Sequence, residues 1–159
     1  YKRQIVDGKE TIRVVDYKTG SPSKSTPSNI EDIFNPQNIE DKHTDYYLQA
    51  FLYAYSIRRD PESQASVNRQ NLPVSPALLF IRKVGIEDYN PTLTLKTDDP
   101  NGGKTTKLYP INDIEEVADD FCMELRKLLE EIFDPSIPFS PTDNKKRCEY
   151  CPYADLCGI

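Results

Sequence analysis

No apolar run in this sequence approaches the roughly 20 residues that a membrane-spanning helix needs, which excludes a helical anchor within its 159 residues. Positive charge is also in short supply. Twenty Lys and Arg face 26 Asp and Glu, for a net charge of -6. Proteins that hold duplex nucleic acid without sequence preference carry a basic face. Here the basic residues are confined to short spots: Lys2-Arg3, Arg58-Arg59, Arg82-Lys83 and Lys145-Lys146-Arg147. That balance argues against an autonomous nucleic-acid binder. It leaves room for a catalytic piece whose basic groove lies elsewhere in a larger protein. Histidine is limited to His43, which precedes a helical stretch and is expected to serve as a cap or in a loop. An initial Met is missing as well: the chain opens at Tyr1 in strand-like sequence, as a fragment or processed piece would.

What is present fits one domain with a real core, since 37% hydrophobic and 29% charged residues suit a globular chain with polar loops. Residues 4–6 and 11–17 are β-favouring runs joined by Asp7-Gly8-Lys9-Glu10, a hairpin signal because Asp and Gly tolerate positive φ. Residues 20–41, punctuated by Pro22, Pro27 and Pro36, read as a long loop with a short helical turn near Ile30–Phe34. From Thr44 to Arg58 the pattern is helical, with Leu48, Phe51, Leu52 and Tyr55 as the apolar stripe. A second face carries Tyr46, Gln49 and Tyr53 at offsets of three and four. Residues 60–75 read as polar loop and 77–84 as a strand. Residues 92–97 and 104–109 flank the turn-rich DDPNGG as a second hairpin. A helix follows from Asn112 or Asp113 to Phe133, buried along Ile114, Val117, Phe121, Leu125, Leu128 and Ile132. The order predicts an α/β fold of mixed α+β type.

The chemistry concentrates in Asp16-Tyr17-Lys18. A strand has a period of two, so Asp16 and Lys18 share a face. The carboxylate suits Mg2+ or Mn2+, hard cations that prefer oxygen. The lysine can orient or help deprotonate a water and offset phosphate charge, a set suited to phosphodiester hydrolysis. An isolated Asp-x-Lys is more commonly an exposed ion pair at a strand end. Here it sits within Arg13–Gly20, RVVDYKTG, which closely resembles the third motif of RecB-like nucleases in the PD-(D/E)XK superfamily. Gln49 and Tyr53, in LQAFLYAY, match the Gln-x-x-x-Tyr motif that those enzymes carry on the next helix.

The resemblance implies a restriction-endonuclease-like core, a mixed sheet flanked by helices, over residues 1–139. It makes Asp16, Lys18, Gln49 and Tyr53 catalytic, with Asp16 and the Tyr17 backbone carbonyl on the metal. Two further elements of the family are missing: an acid in a Gly-x-Ile-Asp-Arg-like context, and a His or Glu on an earlier helix. Asp7 stands in the right region, but a hairpin-turn position would not face a metal. The expectation is that the chain begins just after that acid and is inactive alone.

Residues 140–159 form a cysteine-rich tail with too little apolar content to fold without a staple. Cys148, Cys151 and Cys157 are spaced for a metal or cluster, yet zinc and [4Fe–4S] sites take four ligands. Cys122 could be the fourth, although within an amphipathic helix it reads better as a small buried thiol. In AddB-like relatives such a tail closes a [4Fe–4S] staple with one upstream cysteine. The resemblance therefore implies a fourth ligand before Tyr1, DNA as substrate, a helicase domain or partner subunit, no membrane and a cytoplasmic location. Two other readings stay open: a non-catalytic DNA-binding or scaffold domain of the same fold, and a small zinc-binding interaction module.

Overall fold

The computed structural model describes residues 1–6, 8–20, 26–97, 107–138, 140, 142, 144 and 148–158. They divide into two compact units, Tyr1–Arg126 and Lys127–Ile159. The first holds a sheet of three strands, β1 (Lys2–Val6), β2 (Lys9–Lys18) and β3 (Val74–Phe80), in the order β1-β2-β3. β1 runs antiparallel to β2, from Lys2 opposite Arg13 to Val6 opposite Lys9. Gly8 adopts φ +77 in the tight turn between them, and Asp7 lies outside the described residues. β2 and β3 are parallel, from Ile12 beside Val74 to Lys18 beside Phe80.

A parallel pair cannot be closed by a tight turn, so the chain must cross over between its strands. Four helices fill the crossover: α1 (Glu31–Phe34), α2 (Pro36–Lys42), α3 (Asp45–Arg59) and α4 (Pro61–Ser66). The α1 turn falls where the sequence predicts it, whereas α2 and α4 replace expected loop. The same device starts both. Asn35 accepts a hydrogen bond from the Gln37 amide and Asp60 from the Ser63 amide, each followed by a proline in the first turn. The side chain satisfies an orphan amide, and the proline has no amide to leave unsatisfied. α3 packs on β2 and β3 with Tyr47, Ala50, Phe51 and Ala54 buried. The expected stripe is thus rotated: Leu48, Leu52 and Tyr55 are only partly buried, because the small Ala50 and Ala54 let the helix approach the sheet closely.

β3 begins and ends earlier than the sequence suggests, and Ile81–Lys83 is a 3-10 turn. Its remaining edge pairs with the chain near Thr92, through Leu78 N–H to Pro91 O and Leu93 N–H to Pro76 O. β4 (Thr94–Thr97) and β5 (Lys107–Pro110) form the second hairpin, whose connection lies outside the described residues. The last long helix starts as a 3-10 turn, Ile114–Val117, closed by an Asp113–Glu116 capping box, and continues as α5 (Ala118–Phe133).

The core of the first unit is aromatic. Fully buried Phe121 meets Phe51 edge-on at 5.6 Å, with Phe34 at 5.7 Å and Tyr55 at 6.0 Å. Burying one such ring contributes about 1.5–3 kcal/mol. Cys122 is half-buried rather than enclosed, and its thiol donates to the Tyr55 hydroxyl at 2.8 Å. Ile132 is 45% exposed, so the buried stripe of α5 does not extend to the helix end. Residues from Lys127 on belong to the second unit.

Candidate active site

From Ile12 onward the faces of β2 differ as a period of two demands. Ile12 and Val14 are buried beneath α3, and Asp16 and Lys18 continue the same face to the strand end. Two buried aliphatic residues therefore anchor two charged ones. Tyr17 points to the opposite face and is 66% exposed, so only its backbone belongs on the Asp16 side. Arg13 lies on that opposite face too, donating to Thr92 Oγ1 at 2.8 Å. Burial pulls its guanidinium below the ordinary arginine value.

Asp16 and Lys18 are 16% and 17% exposed, and Lys18 Nζ lies 2.8 Å from Asp16 Oδ2. That oxygen is shielded from solvent and receives no correctly angled hydrogen bond from the described residues, so the contact is an ion pair. Lys18 Nζ also donates to Gln49 Oε1 at 2.6 Å, and Gln49 Nε2 donates to the Tyr53 hydroxyl at 2.9 Å. Tyr53 is 47% exposed and carries the chain of contacts to the surface. The four residues singled out from the sequence thus form one connected line across β2 and α3.

The structure adds Tyr46, which the sequence left without a role, and brings His43 against it. The Tyr46 ring lies under the Lys18 ammonium, 4.4 Å from centroid to Nζ. His43 stacks on Tyr46 at 5.4 Å with planes 10° apart. His43 is the C-cap of α2 at φ +56, consistent with its expected cap role. Tyr46 shares the predicted face with Gln49 and Tyr53, and that spacing was its available signal. Nearby, burial raises the Tyr47 hydroxyl above its ordinary value, against the pull of its hydrogen bonds to Thr26 and Thr94.

Two basic spots are engaged within the fold. Arg58 pairs with Asp113 at 3.7 Å and Glu115 at 3.5 Å, and Arg59 also pairs with Glu115. Arg3 lies 3.7 Å from Glu10 and donates to Gln70 at 3.1 Å. Lys145–Arg147 lie outside the described residues.

A family model described as the PD-(D/E)XK nuclease superfamily matches residues 3–158. The chain belongs to that superfamily. Its mixed sheet and flanking helices agree with the restriction-endonuclease-like fold expected of a PD-(D/E)XK domain. No curated protein and no solved structure matches it. No helix of the described residues is long and apolar enough to cross a membrane.

The donor chemistry at Asp16 fits a hard cation in part: a shielded carboxylate oxygen whose close partner is an ammonium that a cation could displace. Among the described residues no three His, Cys, Asp or Glu side chains gather there, and such ions take six or more oxygens. The cysteines fit a cluster less well. Backbone hydrogen bonds step through them, from Cys151 N to Cys148 O at 3.1 Å and from Ala154 N to Cys151 O at 3.2 Å. Yet among the described residues no three His, Cys, Asp or Glu side chains are gathered to hold a metal. Cys148, Cys151 and Cys157 therefore carry no step of the chemistry below.

Proposed function

We propose that this PD-(D/E)XK domain hydrolyses DNA phosphodiester bonds with Mg2+ or Mn2+, as the C-terminal part of a RecB/AddB-like helicase–nuclease. The observation that supports it most is the unbroken line Asp16–Lys18–Gln49–Tyr53, built from two elements far apart in sequence. When bound, the cation supplies Lewis acidity toward phosphoryl oxygens and acidifies water. Asp16 would hold it through Oδ2. Lys18, which donates to Gln49, would orient the attacking water and offset charge on the phosphate. Gln49 accepts from the lysine and so presents its amide to Tyr53, whose half-exposed hydroxyl can meet the substrate backbone.

The register of β1 bears on the missing acid. Lys2 stands opposite Arg13, and each residue forward on β2 lies opposite one residue back on β1. An upstream extension of β1 in the same register would set the position two before Tyr1 opposite Asp16, on the same face. A carboxylate there or beside it would complete a two-acid metal site.

The test is metal-dependent cleavage of linear DNA by the intact protein, compared with Asp16→Ala and Lys18→Ala. Undiminished cleavage by either variant would refute the assignment. A second reading, a non-catalytic DNA-binding or scaffold domain of the same fold, is favoured by the acidic balance and by the lack of a gathered ligand set among the described residues. It prevails if the intact protein binds DNA but neither cleaves it nor carries an acid at the extended β1 position.

A further inference from the structure

We propose that Tyr46 is a positioning residue for Lys18: its ring fixes the ammonium between Asp16 and Gln49, and His43 steadies the ring by stacking on it. The inference rests on the reading of Lys18 as the lysine of the reaction. Tyr46 lies outside the Gln-x-x-x-Tyr pattern, so nothing in that pattern assigns it.

A lysine ammonium carries three N–H donors on a flexible four-carbon stem. Gln49 Oε1 accepts from one of them at 2.6 Å, and Asp16 Oδ2 holds the charge as an ion pair at 2.8 Å. A pair of contacts leaves the head free to swing about the line between its partners. The Tyr46 ring, 4.4 Å from Nζ, closes the remaining side. Its negative face attracts the cation, and its body covers one side of the ammonium.

The constraint would matter most with Asp16 engaged by a cation. Gln49 and the ring would then still hold the ammonium. The ring can do this because it is fixed itself. Phe80, at the end of β3, packs against it at 6.2 Å. Its hydroxyl lies against Gly20, where an added Cβ would stand 3.7 Å away. His43 lies nearly parallel to it, and the left-handed backbone at the end of α2 sets the direction from which the imidazole arrives. Three elements of the first unit thus converge on one aromatic ring beneath one lysine.

The experiment has two arms, both on the intact protein. In the first, lysines are labelled with carbon-13 and the Lys18 ε-methylene resonances are followed by NMR, without DNA or metal. The ring current of Tyr46 should shift them upfield. Tyr46→Phe should keep that shift and Tyr46→Met should abolish it. In the second arm, Tyr46→Met should lower kcat for DNA cleavage about 10- to 100-fold with KM changed less than about threefold, since a misplaced group costs turnover more than binding. Tyr46→Phe should restore the rate.

An unshifted Lys18 resonance in the unsubstituted protein would overturn the proposal whatever the activity. Equal loss in the Phe and Met variants would overturn it too, because the hydroxyl and not the ring would then matter. Absence of all cleavage defeats the nuclease reading, while the NMR arm still decides whether the ring holds the lysine. Should Tyr46→Met fail to fold, Tyr46→Leu gives the same comparison.

Discussion

Two regions of this protein carry sequence patterns of similar strength and end differently. Asp16, Lys18, Gln49 and Tyr53 lie on a strand and a helix separated by some thirty residues, and they form one connected line. Cys148, Cys151 and Cys157 lie within one short tail, and their side chains are not gathered as a ligand set among the described residues. The difference is the core. Below Asp16 and Lys18 stand Ile12 and Val14, and below Gln49 stand Ala50, Phe51 and Ala54, all buried. Packing of those residues fixes the strand against the helix, and the polar groups are carried along. Among the described residues of the tail Tyr150, Tyr153 and Leu156 are exposed, so spacing alone does not bring its thiols together.

The largest expected effect tests the first region directly. Lys18→Ala should reduce cleavage by the intact protein about 10²–10⁴-fold, in the range of a lost proton-transfer or water-orienting group. Near-normal turnover would make the line of contacts a structural feature only. Next comes the support beneath it. Phe121→Ala should destabilise the protein by about 3–5 kcal/mol, as a buried aromatic truncation does, read as a lower denaturation midpoint. A small loss would mean that the aromatic cluster does not hold the site together.

Gln49→Ala should cost about 10- to 100-fold in kcat, the worth of one hydrogen bond to a charged group. An equal loss on the Lys18→Ala background would show that the two side chains act independently. Acid should act through Asp60, whose carboxyl is held below the usual carboxylate range by hydrogen bonds from Ser63. A depressed folded-state pKa contributes stability above the ordinary carboxylate value, and this is lost as pH falls through the folded value. Asp60→Asn should flatten that part of the acid limb in a pH series of thermal melts; an unchanged limb would show that the α4 cap does not couple to folding. The smallest effect belongs to the tail. The 159-residue chain, purified anaerobically, should carry no stoichiometric iron or zinc, and Cys151→Ser should leave its melting unchanged. Bound metal at one equivalent would reverse the contrast between the two regions.

Some of this was legible in the residues alone. RVVDYKTG marked the strand end, the Gln49/Tyr53 spacing marked the helix face, and Asp113 to Phe133 marked the last helix. The short helices α2 and α4 were not found, although Asn35-Pro36 and Asp60-Pro61 are N-cap and first-turn pairs. In each case six or seven residues without an apolar stripe give no periodicity, so the cap is the only signal. The face of α3 was placed one residue away from the observed burial because Leu and Phe outweigh Ala in a hydrophobicity pattern. In the structure the small residues are where the helix comes closest to the sheet.

The sequence by itself determined which groups could do chemistry. Strand alternation puts Asp16 and Lys18 on one side, and helical spacing puts Tyr46, Gln49 and Tyr53 on another, both consequences of local backbone geometry. Tertiary structure decided that these two faces meet. Parallel pairing of β2 with β3 sends the chain across the sheet, and burial of the α3 alanines brings the helix down onto Lys18. Tyr46 came under Lys18 by that route, since a ring beneath an ammonium is a contact between elements that no local period encodes.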